Sequence, residues 1–156
     1  MIRYCHISSP IGTLTAVSED GFLTELHLSA QVIPGGIYCK DAVLGKTEAW
    51  LNGYFKGNPS LPDVDMKPRG TLFQLSVWKL VALIPRGETV TYGKLAEMLD
   101  HPRMSPQAVG QAVGRNPIPI LIPCHRVLGA GEKLTGYSGG LDKKRYLLDL
   151  EHISYK

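Results

Sequence analysis

The sequence predicts an α+β fold in two parts: a small N-terminal antiparallel sheet with one helix over residues 1–66, and a mostly helical part over residues 67–156 that contains a helix-turn-helix of winged-helix-like type. Three observations predict it. Apolar residues alternate along residues 1–28, the two-residue period of half-buried strands. From Thr71 onward apolar positions recur at helical spacing between capping residues and prolines. Between these regions, the run from Gly57-Asn58-Pro59-Ser60-Leu61-Pro62 to Lys67-Pro68 is rich in breakers and reads as a linker.

In chain order, Ile2, Tyr4 and Ile7 mark the first strand, residues 11–17 the second and residues 22–28 the third, with Glu19-Asp20-Gly21 as the turn joining two of them. Residues 41–55 place Val43-Leu44, Thr47, Trp50-Leu51 and Tyr54-Phe55 at helical spacing, enough to cover one face of the sheet. In the second part Thr71 and Gln74 form a capping-box pattern. Phe73, Val77, Leu80, Val81 and Ile84 then line one helical face until Pro85 stops it. A second helix starts at Thr91, carries Leu95, Ala96 and Leu99, and is expected to end near His101-Pro102. Ser105-Pro106 opens a third, over about residues 106–115, with Ala108, Val109, Ala112 and Val113 on neighbouring faces and Gly110 and Gly114 allowing close approach to a groove. Two short helices around a tight turn give the helix-turn-helix reading; a plain helical bundle is the alternative.

With 156 residues and 44% hydrophobic content, the chain can build one core or two small ones. It has no long apolar run and no charged-then-apolar leader, so neither a membrane span nor a secretory signal is expected, and a soluble cytoplasmic protein is. Cys5, Cys39 and Cys124 are too few and too scattered for a disulfide framework, which suits a reducing compartment. The net charge of +3 is uneven: residues 67–156 hold 13 Lys and Arg against 7 Asp and Glu, whereas residues 1–66 hold 4 against 7. A positive surface attracts phosphate backbones, so the second part is where nucleic acid is expected, with an ordinary solvated surface as the alternative.

The densest chemical signal is Asn116-Pro117-Ile118-Pro119-Ile120-Leu121-Ile122-Pro123-Cys124-His125-Arg126-Val127. Three prolines restrict their own backbone and that of the residue before each, holding the thiol on a rigid platform. A free thiol has a pKa of roughly 8.5, so a base must take its proton before it attacks. His125 is the nearest base, acting directly or through a water, and Glu151 is the carboxylate expected to orient it. An isolated Cys-His pair is more often a buried packing cysteine.

Gly129, Gly131, Gly136-Tyr137-Ser138-Gly139-Gly140, Lys144 and Leu147-Leu148-Asp149-Leu150-Glu151 follow the cysteine. Upstream lie Gly70-Thr71-Leu72-Phe73-Gln74, Val77-Trp78, Ile84-Pro85-Arg86-Gly87, Thr91-Tyr92-Gly93 and Ala108-Val109-Gly110. Together with Pro123-Cys124-His125-Arg126-Val127, these residues resemble the O6-alkylguanine-DNA alkyltransferase family over about residues 68–151. Several spaced motifs in one order are far more specific than a single short pattern.

The resemblance implies repair of DNA by irreversible transfer of the alkyl group of O6-alkylguanine, with O4-alkylthymine a second candidate substrate, to Cys124, one event per molecule. The third helix is similar to one that enters the minor groove while the damaged base is flipped into the cysteine pocket. By resemblance His125 takes the thiol proton and Glu151 orients the histidine. Tyr92 reaches guanine N3, Ser138 donates toward O6, and Asn116 braces the turn that holds the cysteine. The backbone carbonyls of Cys124 and Val127 meet the exocyclic amine, and Val113, Pro119 and Tyr137 form pocket walls. Thr91, Tyr92, Gln107, Ala108 and Arg115 are the expected DNA contacts, and weak sequence preference and a monomer are expected.

Two departures stand out. Where the family usually has an arginine that fills the space left by the flipped base, this chain has Gln107, shorter and uncharged; Arg103 and Arg115 lie nearby at different spacing. Some relatives hold a structural zinc in the N-terminal domain, but Cys5, His6, His27 and Cys39 match no zinc spacing, so no metal is expected. No cofactor is expected either, since Gly139-Gly140 is better explained by the pocket turn. The competing readings are a sensor of alkylated guanine that flips the base without transfer, against which Cys124 argues, and a cysteine hydrolase using Cys124, His125 and Glu151, which leaves the charge asymmetry without a use.

Overall fold

The computed structural model describes residues 1–99 and 105–156, so the expected helix end at His101-Pro102 and Arg103 lie outside the described residues. The chain divides into two units, Met1–Arg69 and Gly70–Lys156.

In the first unit, β1 (Ile2–Ser9), β2 (Gly12–Glu19) and β3 (Phe22–His27) pair antiparallel, and β4 (Ile37–Tyr38) lies parallel to β1, giving the order β3-β2-β1-β4. The sheet is therefore mixed rather than purely antiparallel. Its two-residue fourth strand carries no alternation to read and depends on a pairing across the chain. The turn between β2 and β3 holds Asp20 at φ 51° and Gly21 at φ 83°, the left-handed pair that a tight hairpin demands. α1 (Ala42–Phe55) buries Val43, Leu44, Thr47, Leu51 and Tyr54. Asp41 starts it: one carboxylate oxygen accepts from Leu44 N at 2.9 Å, and the other accepts from Ser18 Oγ of β2 at 2.7 Å. The end of the expected linker is not free chain. Leu23 of β3 donates to Asp65 O and accepts from Lys67 N, both at 2.8 Å, so the backbone polarity of that edge strand is satisfied locally.

The zinc candidates go separate ways. Cys5 is buried and its thiol is pushed up to about 11 by burial, Cys39 is exposed, His6 Nε2 meets Gln31 O at 2.8 Å, and His27 Nε2 lies 3.2 Å from Glu25. Among the described residues no three His, Cys, Asp or Glu side chains gather as a metal-holding group. No helix among them is long and apolar enough to cross a membrane.

The second unit opens with α2 (Leu72–Val81), whose capping box is complete: Gln74 N donates to Thr71 Oγ1 at 3.1 Å, and Thr71 N donates to Gln74 Oε1 at 2.9 Å. The helix ends at Val81, short of the expected Pro85. A residue before proline is disfavoured in helical geometry, and Leu83 and Ile84 close the end with i−3 bonds to Leu80 and Val81. Thr91 caps α3 (Tyr92–Met98) and Ser105 caps α4 (Pro106–Gly114), each accepting at 3.1 Å from the N–H three residues on. Both α2 and α3 pack on α4, and Trp78 of α2 donates Nε1–H to Ala112 O at 2.8 Å. β5 (Val90–Thr91) and β6 (Val127–Leu128) form a short parallel pair that the helical reading of this region missed. α5 (Leu141–Leu150) closes the unit, burying Lys144, Leu147 and Leu148.

Candidate active site

After α4 the chain makes a buried turn whose side-chain brace is Asn116. Its Oδ1 accepts from Ile118 N at 3.0 Å, and its Nδ2 donates to Ile122 O at 2.7 Å, both bonds buried. Ile122 N returns to Ile118 O at 3.0 Å. Ile120, 1% exposed, is held at φ 73°, a conformation that β-branched residues avoid. Such strain persists only where the surroundings over-determine it, and here the braces and packing do so. The turn delivers Cys124 into a 3-10 turn, Cys124–Arg126, that runs into β6.

Cys124 is 5% exposed and looks into a cleft lined by Tyr92, Gly110, Val113, Gly114, Gly136, Tyr137 and Ser138, with about 300 Å³ of empty space counting its open mouth. Burial pushes the thiol up, opposed by hydrogen bonding with Asn116, the charge of Lys144 and hydrogen bonding with Tyr137. The resting sulfur is therefore a protonated thiol that needs a base.

His125 is fully buried, and Nε2 lies 2.6 Å from Glu151 Oε2. A carboxylate only accepts, so Nε2 carries the proton and Nδ1 is left as the basic nitrogen. Burial holds the imidazole below the usual histidine range, against the pull of Glu151, so it is neutral at pH 7 and able to take a proton. Glu151 caps the end of α5 and receives more than the histidine. Arg126 Nε donates to Oε1 at 2.8 Å and Nη2 to Oε2 at 3.1 Å, while Gly87 N donates to Oε1 at 3.0 Å. Gly87 sits at φ 86° in a turn closed by Glu88 N to Pro85 O at 3.1 Å, the glycine position of a type II turn. Arg126 Nη1 donates to Ile84 O at 2.6 Å. A buried carboxylate is tolerable because this ring of donors replaces its water.

Tyr92 begins α3 and its hydroxyl lies 2.7 Å from Thr135 Oγ1. Lys144, 1% exposed, reaches Val127 O at 3.2 Å, Thr135 Oγ1 at 3.3 Å and Thr135 O at 3.4 Å; burial brings it down to about 8.

Of the residues expected from sequence, the structure gathers Cys124, Tyr92, Val113, Tyr137 and Ser138 around one cleft, with His125, Glu151 and Asn116 directly behind. Pro119 and Val127 are not on its wall. Pro119 is buried inside the Asn116-braced turn, and the Val127 side chain is 0% exposed in the core while its carbonyl takes Lys144. Thr91 is the α3 cap; Gln107 and Ala108 occupy the first turn of α4, with Gln107 exposed. Arg115 follows that helix, beside a groove with Thr71, Phe73, Gln74, Ala108 and Gln111. Sequence reasoning missed Arg126, Thr135 and the placement of Lys144. One signal was present: Lys144, Leu147, Leu148 and Glu151 fall at i, i+3, i+4 and i+7, the buried stripe of α5, so two charges on a core face needed partners.

Residues 72–153 match the family profile described as 6-O-methylguanine DNA methyltransferase, DNA binding domain. A Mycobacterium tuberculosis protein called methylated-DNA--protein-cysteine methyltransferase is 45% identical over 155 residues, covering 97% of this chain and 93% of that protein. A Haemophilus influenzae protein of the same name is 40% identical over 159 residues, covering 99% and 88%. Among solved structures, that of Mycobacterium tuberculosis OGT in complex with DNA superposes with a TM-score of 0.83 at 43% identity, covering 96% of this chain and 92% of the other.

Proposed function

The chain belongs to the 6-O-methylguanine DNA methyltransferase family, and from that premise we propose that Cys124 is the acceptor to which the alkyl group of O6-alkylguanine in DNA is transferred. The activity is that of a methylated-DNA--protein-cysteine methyltransferase, a DNA repair reaction. The observation that carries the assignment of Cys124 is its position at the floor of the cleft, backed by a neutral His125 that a carboxylate orients at 2.6 Å.

His125 removes the thiol proton, directly or through a bridging water, and Glu151 keeps its basic nitrogen turned away from the carboxylate. The sulfur attacks the alkyl carbon as the C–O6 bond breaks, and the bonding pair leaves with guanine. Tyr92 donates toward N3 and Ser138 toward O6, stabilising charge that grows on the leaving base. Tyr137 and Val113 flank the base, the Cys124 carbonyl faces its exocyclic amine, and Asn116 fixes the turn that holds the sulfur. A base stacked in duplex DNA offers no path for attack on its O6 substituent, so the nucleotide is extruded first, at a cost of a few kcal/mol. The basic second part supplies the duplex-binding surface, with α3 and α4 as a helix-turn-helix. Thr91, Gln107, Ala108 and Arg115 line it, and α4 enters the minor groove with weak sequence preference. The protein acts as a monomer, and because a thioether is not reversed by ordinary thiol chemistry, each molecule acts once.

Mass spectrometry after incubation with a duplex bearing one O6-methylguanine tests this reading. One added methylene mass on the Cys124 peptide, saturating at one per molecule and absent from Cys124→Ala, is expected. Duplex binding without an adduct points instead to a damage sensor, and neither binding nor adduct points to a hydrolase.

A further inference from the structure

The mechanism leaves a buried cation without a task. An ammonium has three N–H groups and no lone pair, so at Thr135 Oγ1, 3.3 Å away, Lys144 must donate. The threonine hydroxyl has one proton, which the cation repels, and the Tyr92 hydroxyl lies 2.7 Å from the same oxygen, where either oxygen can donate. With Thr135 as the donor, the tyrosine's own proton is left to face the cleft that its ring lines.

We infer that Thr135 and Lys144 are positioning residues that set the direction of the Tyr92 hydroxyl, so that the phenol always presents a donor to N3 of the departing guanine. This rests on the alkyl-transfer reading of Cys124 and Tyr92 given above. As the Sγ–C bond forms and the C–O6 bond breaks, the pair retained by O6 spreads into the purine ring, where the Tyr92 donor meets it. A hydrogen bond received by the phenol oxygen strengthens the one it gives. In keeping with this, burial raises Tyr92 while the Thr135 bond draws it back down. The charge of Lys144 is also felt by Cys124 and His125, so its influence on the thiol must be separated from its influence on the leaving group.

Two methyl donors separate them: a duplex carrying O6-methylguanine, whose leaving group needs Tyr92, and iodomethane, whose iodide does not. Single-turnover methylation of Cys124 is followed by mass spectrometry at saturating duplex, with duplex affinity and folding measured alongside. Thr135→Val is expected to slow transfer from DNA about ten-fold, the worth of one hydrogen bond in the transition state, at unchanged affinity and unchanged iodomethane rate. Thr135→Ser restores most of the rate. Adding Thr135→Val to Tyr92→Phe costs nothing further, because the threonine acts through the phenol. Lys144→Met slows the DNA reaction more than the iodomethane reaction. A wild-type DNA rate in Thr135→Val, losses that multiply in the double variant, or an equal slowing with iodomethane would overturn the inference. A wild-type protein that accepts methyl from iodomethane and none from DNA would overturn the alkyl-transfer reading itself, and the inference with it.

Discussion

Arg126 and Glu151 meet through two parallel N–H···O bonds, Nε to Oε1 at 2.8 Å and Nη2 to Oε2 at 3.1 Å, and the same carboxylate holds His125 at 2.6 Å. One acidic side chain thus both neutralises a buried guanidinium and orients the imidazole. Glu151→Gln keeps the shape and removes the charge. It is expected to cost on the order of 3–5 kcal/mol in urea denaturation, the loss typical of stranding a buried ion, and to slow alkyl transfer at least ten-fold. A variant of wild-type stability would show that Arg126 is satisfied without the carboxylate charge.

In the proposed mechanism transfer depends on neutral His125, whose pKa burial lowers. The rate should therefore stay level as pH falls through 6.5, the ordinary histidine value, and decline only below it. Stability has a related sign. The unfolded chain takes up a proton at His125 near pH 6.5 and the native state resists it, so this group removes stability as pH drops below that value. A single-turnover pH profile and urea midpoints at pH 7.5 and 5.5 check both, and an acid limb centred above 6.5 would contradict the buried neutral imidazole.

Gly70 sits against the Trp78 ring: a Cβ there would stand 2.5 Å from Cη2 and 2.7 Å from Gln74 Oε1. Gly70→Ala must displace the indole that anchors α4 through Ala112 O. A loss of about 1–3 kcal/mol is expected, together with weaker duplex binding. Thermal melts and a fluorescence-anisotropy titration report the two effects, and a neutral outcome would mean that the indole moves without disturbing α4.

Gln107 lies exposed in the first turn of α4, on the surface assigned to DNA. Gln107→Arg adds reach and a charge, and is expected to tighten duplex binding with a steeper salt dependence, or to speed repair. Gain in neither would show that glutamine already suffices.

Methylated Cys124 should melt at a lower temperature than the free protein. Cys124 is 5% exposed, with Asn116 and Tyr137 among the partners of its sulfur, so an added methyl must displace neighbours. Calorimetry before and after reaction with O6-methylguanine DNA measures this, and an unchanged or higher melting temperature would count against it.

Features encoded within a few residues were legible in the sequence: the Thr71–Gln74 capping box, the Ser105-Pro106 start and the Asp20-Gly21 hairpin each follow from local chemistry. The parallel pairs β1–β4 and β5–β6 were not, because each covers two residues and joins distant segments without a periodic pattern. The Cys124, His125 and Glu151 set was visible as spaced motifs. The bonds from Arg126 to Ile84 O and from Lys144 to Thr135 arise only when separate stretches of chain are brought together.

The order in which the active-site groups appear along the chain has a consequence for biosynthesis. Cys124 and His125 precede α5, which brings both Lys144 and Glu151. On the ribosome the thiol therefore emerges before the helix that carries Lys144 and ends at the carboxylate partner of His125. Until α5 docks, His125 lacks its carboxylate, so under the proposed mechanism a reagent that works only once is not assembled until its own fold is in place.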